Sequence, residues 1–277
     1  MAITVNTNTP SLTAQSALNK ATSKMNTAME RMSTGYRINS SKDDAAGLAV
    51  SNKLEYQMSS FDVAQDNAQM GASMLDTVEG VMGTITDNLT RIRDLTEQAA
   101  NGTYGSDAMT AIKTEINARL EEIDRVANST EFNGKALLNG KTGDVNLQVG
   151  IKNDNYSIIT LKQGEEFVDA TKTGLGLTDA SFTTDTKARE YLDSIDKAIE
   201  TVTKAQTKIG GKQAAISSAI ESANVMQTNL TSANSLIKDA DIAEESSNYV
   251  KQQILQQTSA SLLATANQAP SIALNLV

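Results

Sequence analysis

Only two prolines occur in this chain of 277 residues, Pro10 and Pro270, and both lie near its ends. Proline removes a helical hydrogen bond, so nothing between them interrupts a helix of any length. The apolar residues use that freedom with a heptad period. From Ser11 to Tyr36 they fall at Ala14, Leu18, Ala21, Met25, Ala28 and Met32, alternating four and three apart as in a coiled-coil seam. This seam is alanine-rich and short, and such a helix is marginal in water without partners.

Gly35 to Lys42 breaks the pattern, and Asp43 and Asp44 stand where a new helix would start. That helix is expected from Asp44 to Ala100, with Met74, Val78, Val81, Ile85, Leu89, Ile92, Leu95 and Ala99 as its stripe. At 1.5 Å per residue it would be about 80 Å long. After a turn at residues 101–106, a shorter helix runs to Asn128, with Glu115/Arg119 and Glu121/Arg125 as expected i,i+4 pairs. From Glu131 to Gly176 the signal changes. Asn133-Gly134 and Asn139-Gly140 read as turns, Val145, Leu147 and Val149 alternate with polar residues, and Tyr156–Leu161 reads as a second strand.

A second long helix is expected from Asp185 to Lys238. Its seam is Leu192, Ile195, Ile199, Val202, Ile209, Ile216, Ile220, Ala223, Met226, Leu230, Ala233 and Ile237, softened at Gly210-Gly211. A last helix spans Asp241 to Ala269, with Val250, Ile254, Leu255, Leu262, Leu263 and Ala266 apolar, before a mixed tail at Ser271–Val277. The expected fold is mainly α: a long antiparallel helical rod with a small β-hairpin region. Its parts would be an N-terminal helix in 1–42, a rod in 43–239 with hairpins in 131–176, and a C-terminal helix in 240–277. The two end helices would pair, and neighbouring copies would cover the rest of their stripes.

Composition narrows the function. The chain has no His, no Cys and no Trp, and aromatics are 4%. That removes thiol nucleophiles, His bases and His/Cys metal sites, while a carboxylate-only enzyme stays open. Adjacent Asp43 and Asp44 point in different directions on a helix and read as caps rather than an acid/base pair. Asp239 and Asp241 lack the spaced loop that calcium requires, and read the same way. No cofactor and no enzymatic activity are therefore expected. The formal charge of −9 without a basic block argues against nucleic acid. No apolar run reaches the roughly 18–20 residues that span a bilayer, so no membrane partner is expected. Residues 1–10 have neither a basic start nor an apolar stretch, unlike a Sec-type signal, so export would need another route.

Arg31-Met-Ser-Thr-Gly-Tyr-Arg-Ile-Asn39 with Asp43-Asp-Ala-Ala-Gly-Leu-Ala-Val50 resembles the N-terminal signature of bacterial flagellins, and Thr77-Val-Glu-Gly80 and Asn88–Leu95 continue it. Asp239-Ala-Asp-Ile-Ala-Glu244, Gln253-Ile-Leu-Gln-Gln257 and Ala264-Thr-Ala-Asn-Gln268 resemble the C-terminal signature. The resemblance covers residues 1–165 and 185–277. It departs at Ala214-Ala215, where the family often has Asn-Arg, and mildly at Met32 and Thr34.

The resemblance implies a homopolymer, the flagellar filament for motility, with the terminal helices in an inner coiled coil. It implies type III export as an unfolded chain, and a secreted, extracellular location. An export chaperone and the cap and junction proteins would be partners. Leu18, Met25, Met32, Val250, Ile254, Leu255, Leu262 and Leu263 would be polymer contacts. Arg91, Leu95 and Glu115 match a patch recognised by Toll-like receptor 5. Outer variable domains look absent, since only residues 163–185 could hold one. A hook–filament junction protein, a secreted enzyme on the same scaffold, and a secreted helical adhesin or effector stand as alternatives.

Overall fold

Long helices dominate because the sequence supplies their seams and their ends. The computed structural model describes residues 7–274, and side chains up to Gln268. The first six residues, with most of the segment compared to a signal peptide, and the last three of the tail lie outside the described residues. In order come α1 (Thr9–Thr34), α2 (Ala45–Ala99), α3 (Ser106–Ser129), β1 (Glu131–Phe132), β2 (Lys135–Ala136), β3 (Val145–Gln148), β4 (Ile158–Leu161), α4 (Asp185–Lys238) and α5 (Ile242–Leu274). The mainly α class with a small hairpin region is as expected.

The helix ends follow from named side chains. Gly35 takes a left-handed conformation, φ 77°, and its N–H returns to the Arg31 carbonyl, closing α1. Asp44 Oδ1 accepts the Gly47 N–H at 2.8 Å and caps α2. Asp43 instead gathers the preceding turn, accepting the Ser40 N–H and hydroxyl, both at 2.9 Å. Asp241 Oδ1 accepts the N–H groups of Ala243 and Glu244 at the start of α5. Of the paired acidic residues, Asp44 and Asp241 are the caps.

The chain divides into two compact units, Ser59–Gln227 and Met1–Met58 with Thr228–Val277, so α2 and α4 each contribute to both. In the Ser59–Gln227 unit, α2 and α4 run antiparallel. Arg93 Nε meets Asp196 at 2.8 Å, and Gln213 Nε2 meets Asp76 and Glu79, each at 2.8 Å. Val78, Ile85, Leu89, Ile92, Ile195, Val202, Ile209 and Ile216 are fully buried, and α3 adds Ile116, Leu120 and Ile123. Met82 is buried as well, one residue along from the expected Val81. Met226 departs from its expected place and is 52% exposed. Arg125 pairs with Glu122 at 2.6 Å, not with Glu121, because the i,i+3 carboxylate lies nearer its guanidinium. Glu115 and Arg119 stand 3.5 Å apart, as expected.

β1 and β2 close over Asn133-Gly134, both at positive φ (50° and 75°), as an Asn-Gly turn requires. β3 pairs with β4 antiparallel, with Val145 opposite Leu161. The second strand starts at Ile158 rather than Tyr156, because Asn155–Ser157 forms a 3-10 turn capped by Asp154. Leu147 lies where a Cβ on Gly71 would sit, so that glycine lets the hairpin approach α2.

Residues 163–184 carry no variable domain. Phe167, Val168, Ala170, Leu175, Leu177, Ala180 and Phe182 are buried there, so this irregular segment is a lid on the core. Glu166, 1% exposed, accepts the Lys162 N–H at 2.7 Å and holds its tightest bend. Tyr191 donates to the Thr178 carbonyl at 2.6 Å, and burial pushes its phenol up to about 12.

Two glycines should respond oppositely to a methyl group. Gly174→Ala would drive its Cβ into the Asp169 carbonyl oxygen, and should destabilise the lid by about 1–3 kcal/mol. Gly210 is exposed within α4 with open space around it, and Gly210→Ala should stabilise by about 1 kcal/mol. Chemical denaturation of the two variants checks both signs.

Candidate assembly interface

In the second unit, α1 and α5 lie side by side and antiparallel, tied from end to end. Asn8 Nδ2 donates to the Ala266 carbonyl at 2.8 Å, and the Ser11 hydroxyl to Asn267 Oδ1 at 2.7 Å. Midway, Gln256 Nε2 donates to the Thr22 hydroxyl at 3.0 Å. At the far end Arg31 meets Glu245 at 2.9 Å, an ion pair only partly open to solvent.

The α1 side of this contact is Ser11, Ala14, Leu18, Ala21, Met25, Ala28 and Met32, all buried or half-buried. It is the heptad seen in the sequence. The α5 side is Glu245, Tyr249, Gln252, Gln256, Ser259, Leu263 and Ala266, also at heptad spacing but mostly polar. The apolar residues of α5 split accordingly. Leu263 and Ala266 face α1, while Val250, Ile254, Leu255 and Leu262 stay 43–59% exposed. Leu12 and Met29 of α1 are exposed too. A shallow concavity of about 650 Å³ runs along the outward face of α5, lined by Ala243, Val250, Ile254 and Leu255 among others.

The eight expected contact residues therefore form two groups. Leu18, Met25, Met32 and Leu263 are half-buried within one subunit, and the other four point away from it. The polar residues that tie the helices together, Asn8, Thr22, Arg31, Glu245 and Gln256, were not singled out from the sequence. The heptad spacing of 245, 249, 252, 256, 259, 263 and 266 was the available signal, but a search for apolar periodicity passes over it.

The connectors beyond the helices are joined as well. Arg37 N–H donates to the Lys238 carbonyl at 2.7 Å, and Ala240 N–H to the Gly35 carbonyl at 2.9 Å. Lys238 Nζ lies 2.6 Å from Glu55 and 4.7 Å from the Tyr36 ring centroid. The lysine's hydrogen bond holds the Glu55 carboxyl below its ordinary range. The Ser40 hydroxyl does the same for Asp43.

In the Ser59–Gln227 unit, Arg91 Nε and Nη2 both meet Glu115 Oε1, at 3.1 and 3.0 Å. This pair is exposed, whereas Leu95 is 3% exposed and belongs to the core. The structure brings two of the three expected receptor residues together at the surface and places the third beneath it.

One unit thus has a full core, and the other pairs two helices through a weakly apolar seam while turning its large apolar residues outward. That is the design of a self-assembling structural subunit. Residues 5–142 match the family of the bacterial flagellin N-terminal helical region, and residues 192–277 that of the C-terminal helical region. The chain is 31% identical to polar flagellin F of Vibrio parahaemolyticus and 30% identical to flagellin A of Vibrio cholerae, with all of each chain covered. It belongs to the bacterial flagellin family and is a structural subunit of the flagellar filament. The alignment with polar flagellin F runs over 376 positions, so that relative is the longer protein and this chain is a short form.

Among solved structures, the putative flagellar hook-associated protein from Vibrio parahaemolyticus shares the fold, with TM-score 0.58 and 18% identity over 70% of this chain and 99% of that one. Bacillus cereus flagellin matches at TM-score 0.48 and 26% identity, over 57% of this chain and 88% of that one. No helix among the described residues is long and apolar enough to cross a membrane.

The depressed carboxyls of Asp43 and Glu55 set a direction with pH. Their contribution is present at neutral pH and is lost as the pH falls through their lowered range. Acid should therefore loosen the joined connectors, and Glu55→Gln should flatten that dependence. Thermal unfolding of assembled filaments over an acid series reads the slope. An equally steep fall in the variant would exclude Glu55 as a contributor.

Proposed function

We propose that the outward face of α5, with Leu12 and Met29 of α1, is the surface through which copies of this chain polymerise. The carrying observation is the division of α5 into a polar inner face and an apolar outer one. In water the inner seam buries mainly alanine and polar groups, which stabilises a helix pair weakly. Burying Val250, Ile254, Leu255 and Leu262 between copies adds roughly 1.5–3 kcal/mol per large side chain. Folding of the ends and assembly are then coupled, and Leu18, Met25, Met32 and Leu263 order as the pair forms.

A chain whose ends are stable only in the polymer suits export as an unfolded strand through the flagellar type III apparatus. The subunit is then extracellular. Before assembly the same face needs an export chaperone, and at the filament's ends it meets the cap and junction proteins. Catalysis has no part in this reading. The flagellin relatives, similar over their whole length, favour a filament subunit over a junction protein.

A second reading concerns the Ser59–Gln227 unit. The exposed Arg91–Glu115 pair offers a charged contact to Toll-like receptor 5, with Leu95 acting from below by holding α2 in place.

Ile254→Asn with Leu262→Asn should leave the Ser59–Gln227 unit folded and raise the critical concentration for seeded elongation at least about tenfold, since about 1.4 kcal/mol suffices. Deleting residues 1–30 or 245–277 should leave a folded, soluble remainder that does not elongate seeds. Normal filaments from either truncation would refute the proposal.

A further inference from the structure

The two prolines of the chain lie near the same end of the α1–α5 pair, and one side chain connects their consequences. Pro270 lies inside α5, which continues to Leu274, beyond the end expected at Ala269. A proline carries no N–H, so the carbonyl four residues earlier, that of Ala266, receives no helical donor from it. Asn8 Nδ2 supplies one, at 2.8 Å. The same side chain uses Oδ1 to accept the Ser11 N–H at 3.2 Å, capping α1, which carries Pro10 in its first turn. The next polar contact, Ser11 to Asn267, extends the match.

The apolar part of the seam fixes register poorly, since Ala14, Ala21 and Ala28 recur one heptad apart on α1. A slip by one heptad would bring alanine to alanine positions, and only the polar contacts, Arg31 to Glu245 and Gln256 to Thr22 among them, oppose it. Polar groups that must find partners set register in such seams at a cost in stability. The carbonyl that Pro270 deprives of a donor occurs once along α5, and Asn8 fits it in one alignment only.

We infer that Asn8 is a positioning residue that reads the Ala266 carbonyl left without a helical donor by Pro270, and so sets the register of α1 against α5 in the assembled subunit. This rests on the pairing of α1 with α5 in the filament and deepens the assembly role proposed above. A subunit paired one heptad out would shift its outward apolar residues along the filament by about 10 Å, at 1.5 Å per residue. Neighbouring copies would then no longer match.

The absence of cysteine makes the test direct. In assembled filaments, Thr22→Cys with Gln256→Cys should be joined within one chain by a short bifunctional thiol cross-linker, since the two native side chains meet at 3.0 Å. Thr22→Cys with Tyr249→Cys or with Leu263→Cys, one heptad away in either direction, should not. Failure of the Thr22–Gln256 link with intact Asn8 would refute the pairing on which the inference depends. With the link established, Asn8→Asp keeps the cap but loses the donor. It should spread cross-linking to the shifted pairs and raise the critical concentration about fivefold, the scale of one lost hydrogen bond.

Pro270→Ala restores a helical donor to Ala266. In that background Asn8→Asp should cost less than about twofold, because the carbonyl is already satisfied. Asn8→Ser, a shorter cap, should behave like Asn8→Asp in both backgrounds. Exclusive Thr22–Gln256 cross-linking in Asn8→Asp, or a cost independent of residue 270, would overturn the inference. Should Pro270→Ala filaments not form, the cross-linking pattern of Asn8→Asp alone decides.

Discussion

The terminal unit depends on a seam whose two sides differ in kind. α1 offers alanine, leucine and methionine, and α5 answers with Glu245, Gln252, Gln256 and Ser259. Such a contact is directional, because its hydrogen bonds must be made. It is also weak, because little apolar surface leaves water. Both properties suit the coupled folding and assembly proposed above. A seam of leucines would bury the chain's apolar surface within one subunit and leave little for the next.

The Ser59–Gln227 unit has the opposite economy. Its isoleucine and leucine layers are sealed by α3 and by the irregular lid carrying Phe167 and Phe182. It is complete in itself, and its surface carries ion pairs such as Arg91–Glu115 and Arg93–Asp196. Exposed pairs of this kind contribute little to stability, which leaves them available for contacts with other molecules. Under the proposed reading, folding and assembly fall to different units of one chain.

The helices were legible because a seven-residue period needs no knowledge of partners. The α1 seam and the caps at Asp44 and Asp241 appear where the pattern places them, and the Asn133-Gly134 turn follows from its dipeptide. The lid was not legible. Residues 163–184 have no period, and their burial comes from the surface they cover rather than from local pattern. Arg125 chose Glu122 over Glu121 through side-chain geometry that spacing alone does not resolve. The larger miss lay in α5. A search for apolar periodicity finds Val250, Ile254, Leu255 and Leu262, but the helix leaves these exposed and turns its polar heptad inward. Reading direction from hydrophobicity presumes that the first partner is the subunit itself. Pro270 does not end α5, which runs on to Leu274, and the Ala266 carbonyl that it leaves without a helical donor is met by Asn8.

Hydroxyl-radical footprinting of free subunits and of filaments tests the two-faced α5 most directly. The outward residues Val250, Ile254, Leu255 and Leu262 should become strongly protected on polymerisation, while exposed Tyr156 in the other unit, 97% accessible, serves as the internal reference. Unchanged labelling of those four residues in well-formed filaments would contradict the account.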